Sequence, residues 1–376
     1  MERPYILFCA GEDSGDAIGE SLVKTVLAEG RFNAVGAGGM RMQAAGMQAI
    51  VDYEDLPVSG FGDVLPRYFK LRRHFQALCE ALRSEKCLGL VAVDYPGFNM
   101  KLVRLAGMLK KPSLYVAPPQ VWAWKAKRAK ELAQNTFAKL AVFFDFEERV
   151  YKEAGCNVVR VQHPFVDSKG LGADPTSQDT LSSPVCPRSS KILLLPGSRK
   201  SQALRNLPIY LDTVKDIQDV VVIAARQELV PAFEKFGVQV AVAPQNVQER
   251  AALYGSAKYA ITAPGTATLE LALSGCPMLV CTKPDLLTYC LGWLFIKTKY
   301  FALPNIILGK QVYPEYILGP FQQSLSRLDW KFPFKNARVH GPETCGLKPE
   351  SSNLYAKLSV GQTLEQLALE FLRQFV

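Results

Sequence analysis

Short unbroken apolar runs alternate along the chain with longer stretches in which apolar residues recur every three or four positions. The runs Tyr5–Ala10, Phe32–Gly36, Leu88–Val93, Ser113–Val116, Leu140–Phe144 and Val158–Val161 are predicted strands. Ala17–Ala28 and Asn99–Lys110 are predicted helices. In the second of these, Leu102, Leu105, Ala106 and Leu109 stand at i, i+3, i+4 and i+7 and mark one buried face. Strands that are apolar throughout, rather than alternating, predict a parallel sheet covered on both faces by helices.

Composition then changes. Residues 167–190 are rich in Ser, Pro, Asp, Gly and Thr and read as a linker. Beyond it the alternation resumes, with predicted strands at Lys191–Leu195, Val220–Ala224, Val238–Ala243, Tyr259–Thr262 and Met278–Cys281. A predicted helix over Thr266–Ser274 stops at Gly275-Cys276-Pro277. From about Ser324 the period fades, until an amphipathic stretch over Thr363–Phe375 predicts a last helix. The expected fold class is α/β, with two doubly wound Rossmann-like domains and a cleft between them. The expected segments are 1–166, the linker 167–190, 191–323, and an atypical tail over 324–376.

Apolar residues make up 48% and charged residues 21% of the chain, which fits a folded protein and argues against long disorder. The net charge of +9 favours anionic partners such as phosphosugars, nucleotides, acidic lipids or nucleic acid. The nine cysteines contain no C-x-x-C pair, which argues for a reducing compartment and against a zinc site. The three histidines (His74, His163 and His340) have no metal spacing, and there is no Asp-x-Asp triplet to hold a metal–diphosphate. No secretory leader is visible at the start, and no apolar run reaches the roughly 18 residues a membrane span requires.

Open parallel sheets bind ligands beyond the carboxyl ends of their strands, so the residues after each strand carry the candidate chemistry. After the first strand, Gly11-Glu12-Asp13-Ser14-Gly15-Asp16 leads into a helix. Its acidic side chains suit sugar hydroxyls better than phosphate, with Glu12, Ser14 and Asp16 as candidates, although Asp16 also fits a helix cap. Gly36-Ala37-Gly38-Gly39 lacks the sixth-position glycine of a dinucleotide fingerprint. After the third long run, Asp94-Tyr95-Pro96-Gly97-Phe98-Asn99 sets a carboxylate in a Pro-Gly turn, where Asp94 can accept a proton from a sugar hydroxyl. Pro118-Pro119-Gln120-Val121-Trp122-Ala123-Trp124 offers flat apolar faces for sugar rings or acyl chains, followed by Lys125, Lys127, Arg128 and Lys130.

In the second half, Leu195-Pro196-Gly197-Ser198-Arg199 supplies backbone donors, a hydroxyl and a guanidinium suited to phosphate oxygens, without P-loop spacing. Ala263-Pro264-Gly265-Thr266 opens a helix whose start can face a diphosphate, with Glu270 one turn on, within reach of a ribose. Gly197, Ser198, Arg199, Gly265, Thr266 and Glu270 are therefore the candidate nucleotide site. Between residues 57 and 78, Phe61, Val64, Leu65, Tyr68 and Phe69 interleave with Arg67, Arg72 and Arg73. That mixture predicts a helix that either lies in an anionic membrane interface or turns its apolar side to the core.

Taken in order, G-E-D-S-G-D, D-Y-P-G-F-N, P-P-Q-V-W-A-W, L-L-P-G-S-R, G-T-A-T-L-E and Leu303-Pro304-Asn305 resemble lipid-A-disaccharide synthases over roughly residues 5–320. The resemblance implies a GT-B-type inverting glycosyltransferase of lipid A (lipopolysaccharide) biosynthesis. Its substrates would be UDP-2,3-diacylglucosamine and 2,3-diacylglucosamine 1-phosphate, its products the β-1,6-linked disaccharide 1-phosphate and UDP. It implies no cofactor and no metal, because the UDP-sugar is itself a substrate. It also implies a cytoplasmic enzyme peripheral to the inner membrane of a Gram-negative bacterium, no nucleic-acid partner, and compatibility with a homodimer. By the same resemblance the first domain takes the acceptor and faces the membrane, while the second binds the UDP-sugar. Asp94 corresponds to the base, Arg199 and Glu270 to the UDP site, and Asn99, Trp122 and Asn305 to acceptor- or sugar-binding positions. The chain departs from the family at Asp13, Gly97, Gln162 and Pro264, and in Lys200-Ser201-Gln202, which lacks an expected acid. The remaining readings are a related UDP-sugar enzyme such as a UDP-GlcNAc 2-epimerase, and a non-catalytic nucleotide- or membrane-binding module.

Overall fold

The computed structural model describes residues 3–56, 61–121, 127–167, 190–286, 289, 299–319 and 348–375, with 61–68, 167, 348 and 349 described by backbone alone. The chain forms two compact units, Met1–Pro164 with Ser359–Val376, and Phe165–Leu358. Each is built on its own parallel sheet.

In the first unit the strands are β1 (Tyr5–Ala10), β2 (Asn33–Ala37), β3 (Gln48–Ala49), β4 (Cys87–Val93), β5 (Ser113–Val116), β6 (Ala138–Val142) and β7 (Val158–Arg160). They lie in the order β3-β2-β1-β4-β5-β6-β7, all parallel. The strand order reverses between β1 and β4, where a doubly wound sheet leaves a crevice at its carboxyl edge. Helices α1 (Asp13–Ala28), α2 (Met40–Ala44), α3 (Phe61–Arg83), α4 (Pro96–Met108), α5 (Lys127–Ala133) and α6 (Asp145–Glu153) follow the strands, and α7 (Pro164–Asp167) leads on to the second unit. Leu7, Leu90, Leu102, Tyr115 and Leu140 are fully or almost fully buried in one core, as continuous apolar strands require.

The second unit contains β8 (Ile192–Leu195), β9 (Val220–Ala224), β10 (Val240–Val242), β11 (Tyr259–Thr262), β12 (Met278–Thr282) and β13 (Glu315–Ile317), ordered β10-β9-β8-β11-β12-β13 and again parallel. Its reversal lies between β8 and β11. Helices α8 (Lys200–Thr213), α9 (Val230–Glu234), α10 (Val247–Ser256) and α11 (Thr266–Leu273) connect them.

The tail expected as one segment from residue 324 divides in two. Leu354 and Leu358 of the Lys348–Leu358 helix are fully buried, and Ser351 Oγ donates to the Ala272 carbonyl at the end of α11 (2.8 Å), inside the second unit. The Leu364–Leu372 helix belongs to the first unit. It starts on a capping box in which Thr363 Oγ1 accepts from Gln366 N–H (3.2 Å) while Gln366 Oε1 accepts from Thr363 N–H (3.0 Å). Leu364, Leu367, Phe371 and Leu372 are buried beneath it, and the Phe371 and Phe375 rings close over Gly89 of β4. Periodicity finds this helix but not its partner, because the packing residues lie more than 250 positions away.

His163 lies next to Pro164, the last residue of the first unit's N-terminal segment. It is 8% exposed, with its ring 4.9 Å from that of Phe143 and stacked on Phe144. Burial, reinforced by Arg160, holds the imidazole down at about 3, so the folded ring is neutral. An unfolded histidine titrates near pH 6.5, so between about 6.5 and 3 only the unfolded chain takes the proton. Acidification through that window therefore favours unfolding by up to about 1.4 kcal/mol per pH unit. The melting temperature of His163→Gln is expected to fall less between pH 7 and pH 4 than that of the parent. Parallel profiles would contradict this.

Candidate active site

In the first unit, the turns after β1 and β4 meet at the strand reversal. Asp94 and Tyr95 both have left-handed backbone, with φ of 48° and 45°. A non-glycine residue there costs about 1–2 kcal/mol, so two in succession persist only where their surroundings over-determine them. Those surroundings are specific. Asn99, fully buried in the first turn of α4, donates its amide to the carbonyls of Cys9 (3.1 Å), Val93 (3.1 Å) and Asp94 (2.7 Å). Tyr115 donates its hydroxyl to the Asp94 carbonyl (3.0 Å) from β5, and Tyr95 donates to the Leu56 carbonyl (2.9 Å). The Tyr95 ring lies across Gly11, where a Cβ would sit 2.4 Å from ring carbons, so only glycine lets the two turns approach. Pro96 then opens α4 with a preset φ. Burial pushes both phenols up, that of Tyr115 further with the Asp94 carboxylate nearby, so both remain protonated donors. The clamp leaves Asp94 half-buried at the carboxyl edge of the sheet.

This geometry corrects two expectations in this unit. Asn99 was expected to bind sugar, but its amide donors are taken by main-chain carbonyls, so it positions the turn. Asp16 was expected to meet sugar hydroxyls, but its two carboxylate oxygens accept from the N–H groups of Arg41 (3.0 Å) and Met42 (3.1 Å). It neutralises the start of α2 instead, a role in which burial and charge agree. Glu12, whose extended backbone caps α1, and Ser14 in its first turn are half-buried beside Gly11. Asn99→Ala is expected to lower stability by about 2 kcal/mol, through the buried carbonyls left without a donor, and to reduce turnover as the turn relaxes. Unchanged melting and turnover would remove the clamp.

Trp122 lies outside the described residues, as do the side chains of Phe61, Val64, Leu65, Arg67 and Tyr68. The remainder of α3 has two faces. Leu71, Leu78 and Leu82 are buried, whereas Phe69 is 79% exposed next to exposed Arg72 and Arg73. Lys70 (3.3 Å) and His74 (3.1 Å) both reach Asp55 and hold its carboxyl below the usual range.

In the second unit, the loops after β8 and β11 flank the other reversal. Gly197 and Gly265 have φ of 127° and 151°, and Gly265 is the N-cap of α11, a conformation that side-chain-bearing residues rarely adopt. Arg199 caps α8 through its backbone, and Ser198 and Arg199 are exposed. The Ser198 carbonyl accepts from Arg226 Nη2 (3.3 Å), bringing the loop after β9 to the same edge. Asn206, fully buried, donates to the Pro196 carbonyl (2.8 Å) and accepts from Lys283 N–H (2.8 Å), which ties the loops after β8 and β12 together. Thr266 begins α11, and Glu270, 8% exposed, is held by Arg250. Asn206 and Arg250 were missed by sequence reasoning, because the partners Lys283 and Glu270 lie 77 and 20 positions away.

Asn305 requires a third correction. It is fully buried, its Nδ2 donates to the Tyr313 carbonyl (2.7 Å), and its Oδ1 accepts from the N–H groups of Val312 and Tyr313 (both 2.9 Å). Buried and bonded to backbone through both its nitrogen and its oxygen, it closes the turn after the Leu303–Leu308 helix rather than contacting an acceptor.

The described thiols are buried or half-buried, and burial pushes Cys9 and Cys281 up to about 12, so neither serves as a nucleophile. Among the described residues no helix is long and apolar enough to cross a membrane.

Comparison with known proteins agrees with this architecture. A family model described as lipid-A-disaccharide synthetase matches residues 6–337. Lipid-A-disaccharide synthase 1 of Legionella pneumophila (strain Lens) is 34% identical over 328 residues, 83% of each chain. The synthase of Trichlorobacter lovleyi is 30% identical over 362 residues, 91% of this chain and 93% of that one. Among solved structures, MurG of Acinetobacter baumannii (TM-score 0.51, 15% identity, 99% of this chain and 100% of that one) has a similar fold. So has UGT89C1 of Arabidopsis thaliana (TM-score 0.56, 12% identity, 98% and 100%). The chain belongs to the lipid-A-disaccharide synthase family, and is a glycosyltransferase of lipid A biosynthesis with two Rossmann-like units of the GT-B type that binds a nucleotide sugar.

Proposed function

We propose that this enzyme transfers 2,3-diacylglucosamine from its UDP ester to the 6-hydroxyl of 2,3-diacylglucosamine 1-phosphate, inverting the anomeric centre. The acceptor oxygen attacks C1, the bond from C1 to the β-phosphate oxygen breaks, and UDP leaves with the electron pair. Asp94 takes the hydroxyl proton as attack proceeds, a role that contributes about 10²–10⁴-fold in enzymes generally. Arg199, with Ser198, Gly197 and the start of α11 at Gly265-Thr266, meets the charge growing on the diphosphate. Glu270 accepts from the ribose. The observation that carries the reading is the doubly left-handed Asp94-Tyr95 turn, clamped from three elements at the strand reversal. Strain held so firmly at a ligand-binding edge marks a side chain whose placement matters.

The outward face of α3 supports the lipid part of the reading. Exposed Phe69 with Arg72 and Arg73 offers an aromatic wedge and positive charge to an anionic surface, as expected of an enzyme held at the cytoplasmic face of the inner membrane.

The test is UDP release by purified enzyme. It is expected only when the acylated donor and the acylated acceptor are both present. Turnover of unacylated UDP-GlcNAc without acceptor would point instead to an epimerase-like enzyme.

A further inference from the structure

Glu270 and Arg250 form a forked ion pair that the reading above does not use. Arg250 Nε donates to Oε1 and Oε2 of Glu270, each at 3.0 Å, and Nη2 donates to Oε1 at 2.6 Å. The two side chains are only 14% and 10% exposed. The third nitrogen, Nη1, donates to the Pro244 carbonyl at 2.7 Å, in the loop that follows β10. That loop then opens α10, where Asn246 accepts from the N–H groups of Gln248 (2.8 Å) and Glu249 (3.1 Å). One guanidinium thus links α10, α11 and the loop after β10 on the carboxyl side of the second sheet.

The bonding is asymmetric. Oε1 accepts twice and Oε2 once, while a carboxylate oxygen has room for two donors. Oε2 therefore keeps one lone pair for a further hydroxyl, and the planar fork fixes where it lies. A buried ion pair gives little net stability over an apolar pair of the same volume, so stability alone does not account for it here.

We infer that Arg250 is a positioning residue for the nucleotide: it locks the Glu270 carboxylate so that Oε2 accepts from a ribose hydroxyl, and through Pro244 it fixes the neighbouring loop. This rests on the reading of Glu270 as a ribose contact. Arg250 acts through Glu270, so losing either should have the same consequence.

The experiment is a double-mutant cycle on UDP affinity, measured by calorimetry with the full chain. E270Q is expected to weaken UDP about tenfold or more, the effect of losing a hydrogen bond to a charged group. R250M is expected to weaken it similarly, and R250M/E270Q by no more than about twofold beyond E270Q, because coupled residues do not add. In steady-state kinetics R250M raises the KM for the donor while leaving the acceptor KM and the saturated kcat close to the parent values. R250K keeps the charge without the fork and lies in between. R250M leaves Glu270 buried and unpaired. If that variant fails to fold, the comparison of E270Q with the double variant and R250K carries the test. Parent-like UDP affinity in R250K and R250M, or additive losses in the double variant, would overturn the role of Arg250. Parent-like affinity in E270Q would instead overturn Glu270 as the ribose contact, a separate outcome.

Discussion

Asp94→Asn lowers disaccharide formation by about 10²–10⁴-fold, the range for loss of a general base, while UDP affinity stays within about twofold of the parent. The amide keeps the size of the carboxylate but cannot take the acceptor proton. The hydrogen bonds given by Asn99 and Tyr115 go to the Asp94 carbonyl, not to its side chain, so the turn is preserved in the variant. The loss therefore separates chemistry from folding, since melting temperature and nucleotide binding both persist. Product formation near the parent rate would remove Asp94 from the base role and leave the clamped turn as a structural feature alone.

Arg199→Met is expected to cost about 10²–10³-fold in kcat/KM, comparable to removing one preorganised group that meets transition-state charge. Arg199 is exposed where α8 begins, and its backbone rather than its side chain caps the helix, so the substitution leaves α8 intact. Arg199→Lys recovers part of the loss, because an ammonium supplies charge without the bidentate fork. Stopped assays with saturating acceptor and varied donor measure it. An Arg199→Met enzyme with parent kcat/KM would move the diphosphate-binding role elsewhere on the β8–β11 edge.

The strands that carry these turns were legible because they are apolar almost from end to end: β1, β8 and β11 fall within predicted runs, and β4 starts one residue before its run, at Cys87. Both strand reversals place the predicted turns at the carboxyl edge, so Asp94 and Arg199 arise in the expected positions within their own units. Two of the four edge strands, β3 and β13, were not legible. Gln48 and Ala49 of β3 are exposed, and Glu315–Ile317 in β13 are half-buried or exposed, so neither carries an apolar run. The final helix was found by its period, but not its membership of the first unit, because Phe371 and Phe375 pack against residues brought near only by folding.

Polar residues were harder to assign than apolar ones. Asp16, Asn99 and Asn305 sit inside recognisable motifs, and a motif looks the same whether its side chain holds a ligand or holds the backbone that holds the ligand. Burial decides: each is at most 5% exposed and bonded to main chain. Tyr115, Asn206 and Arg250 escaped notice for the converse reason. Nothing in their neighbours marks them, and their partners are 21, 77 and 20 positions away.

The most direct measurement of the account is the identity of the product. Purified enzyme given both acylated substrates should yield a species with the mass of the tetra-acylated disaccharide 1-phosphate, one UDP per molecule formed, and an anomeric proton coupling of the β configuration. An α-linked product, or UDP released without any disaccharide, would contradict inverting transfer to the acceptor hydroxyl.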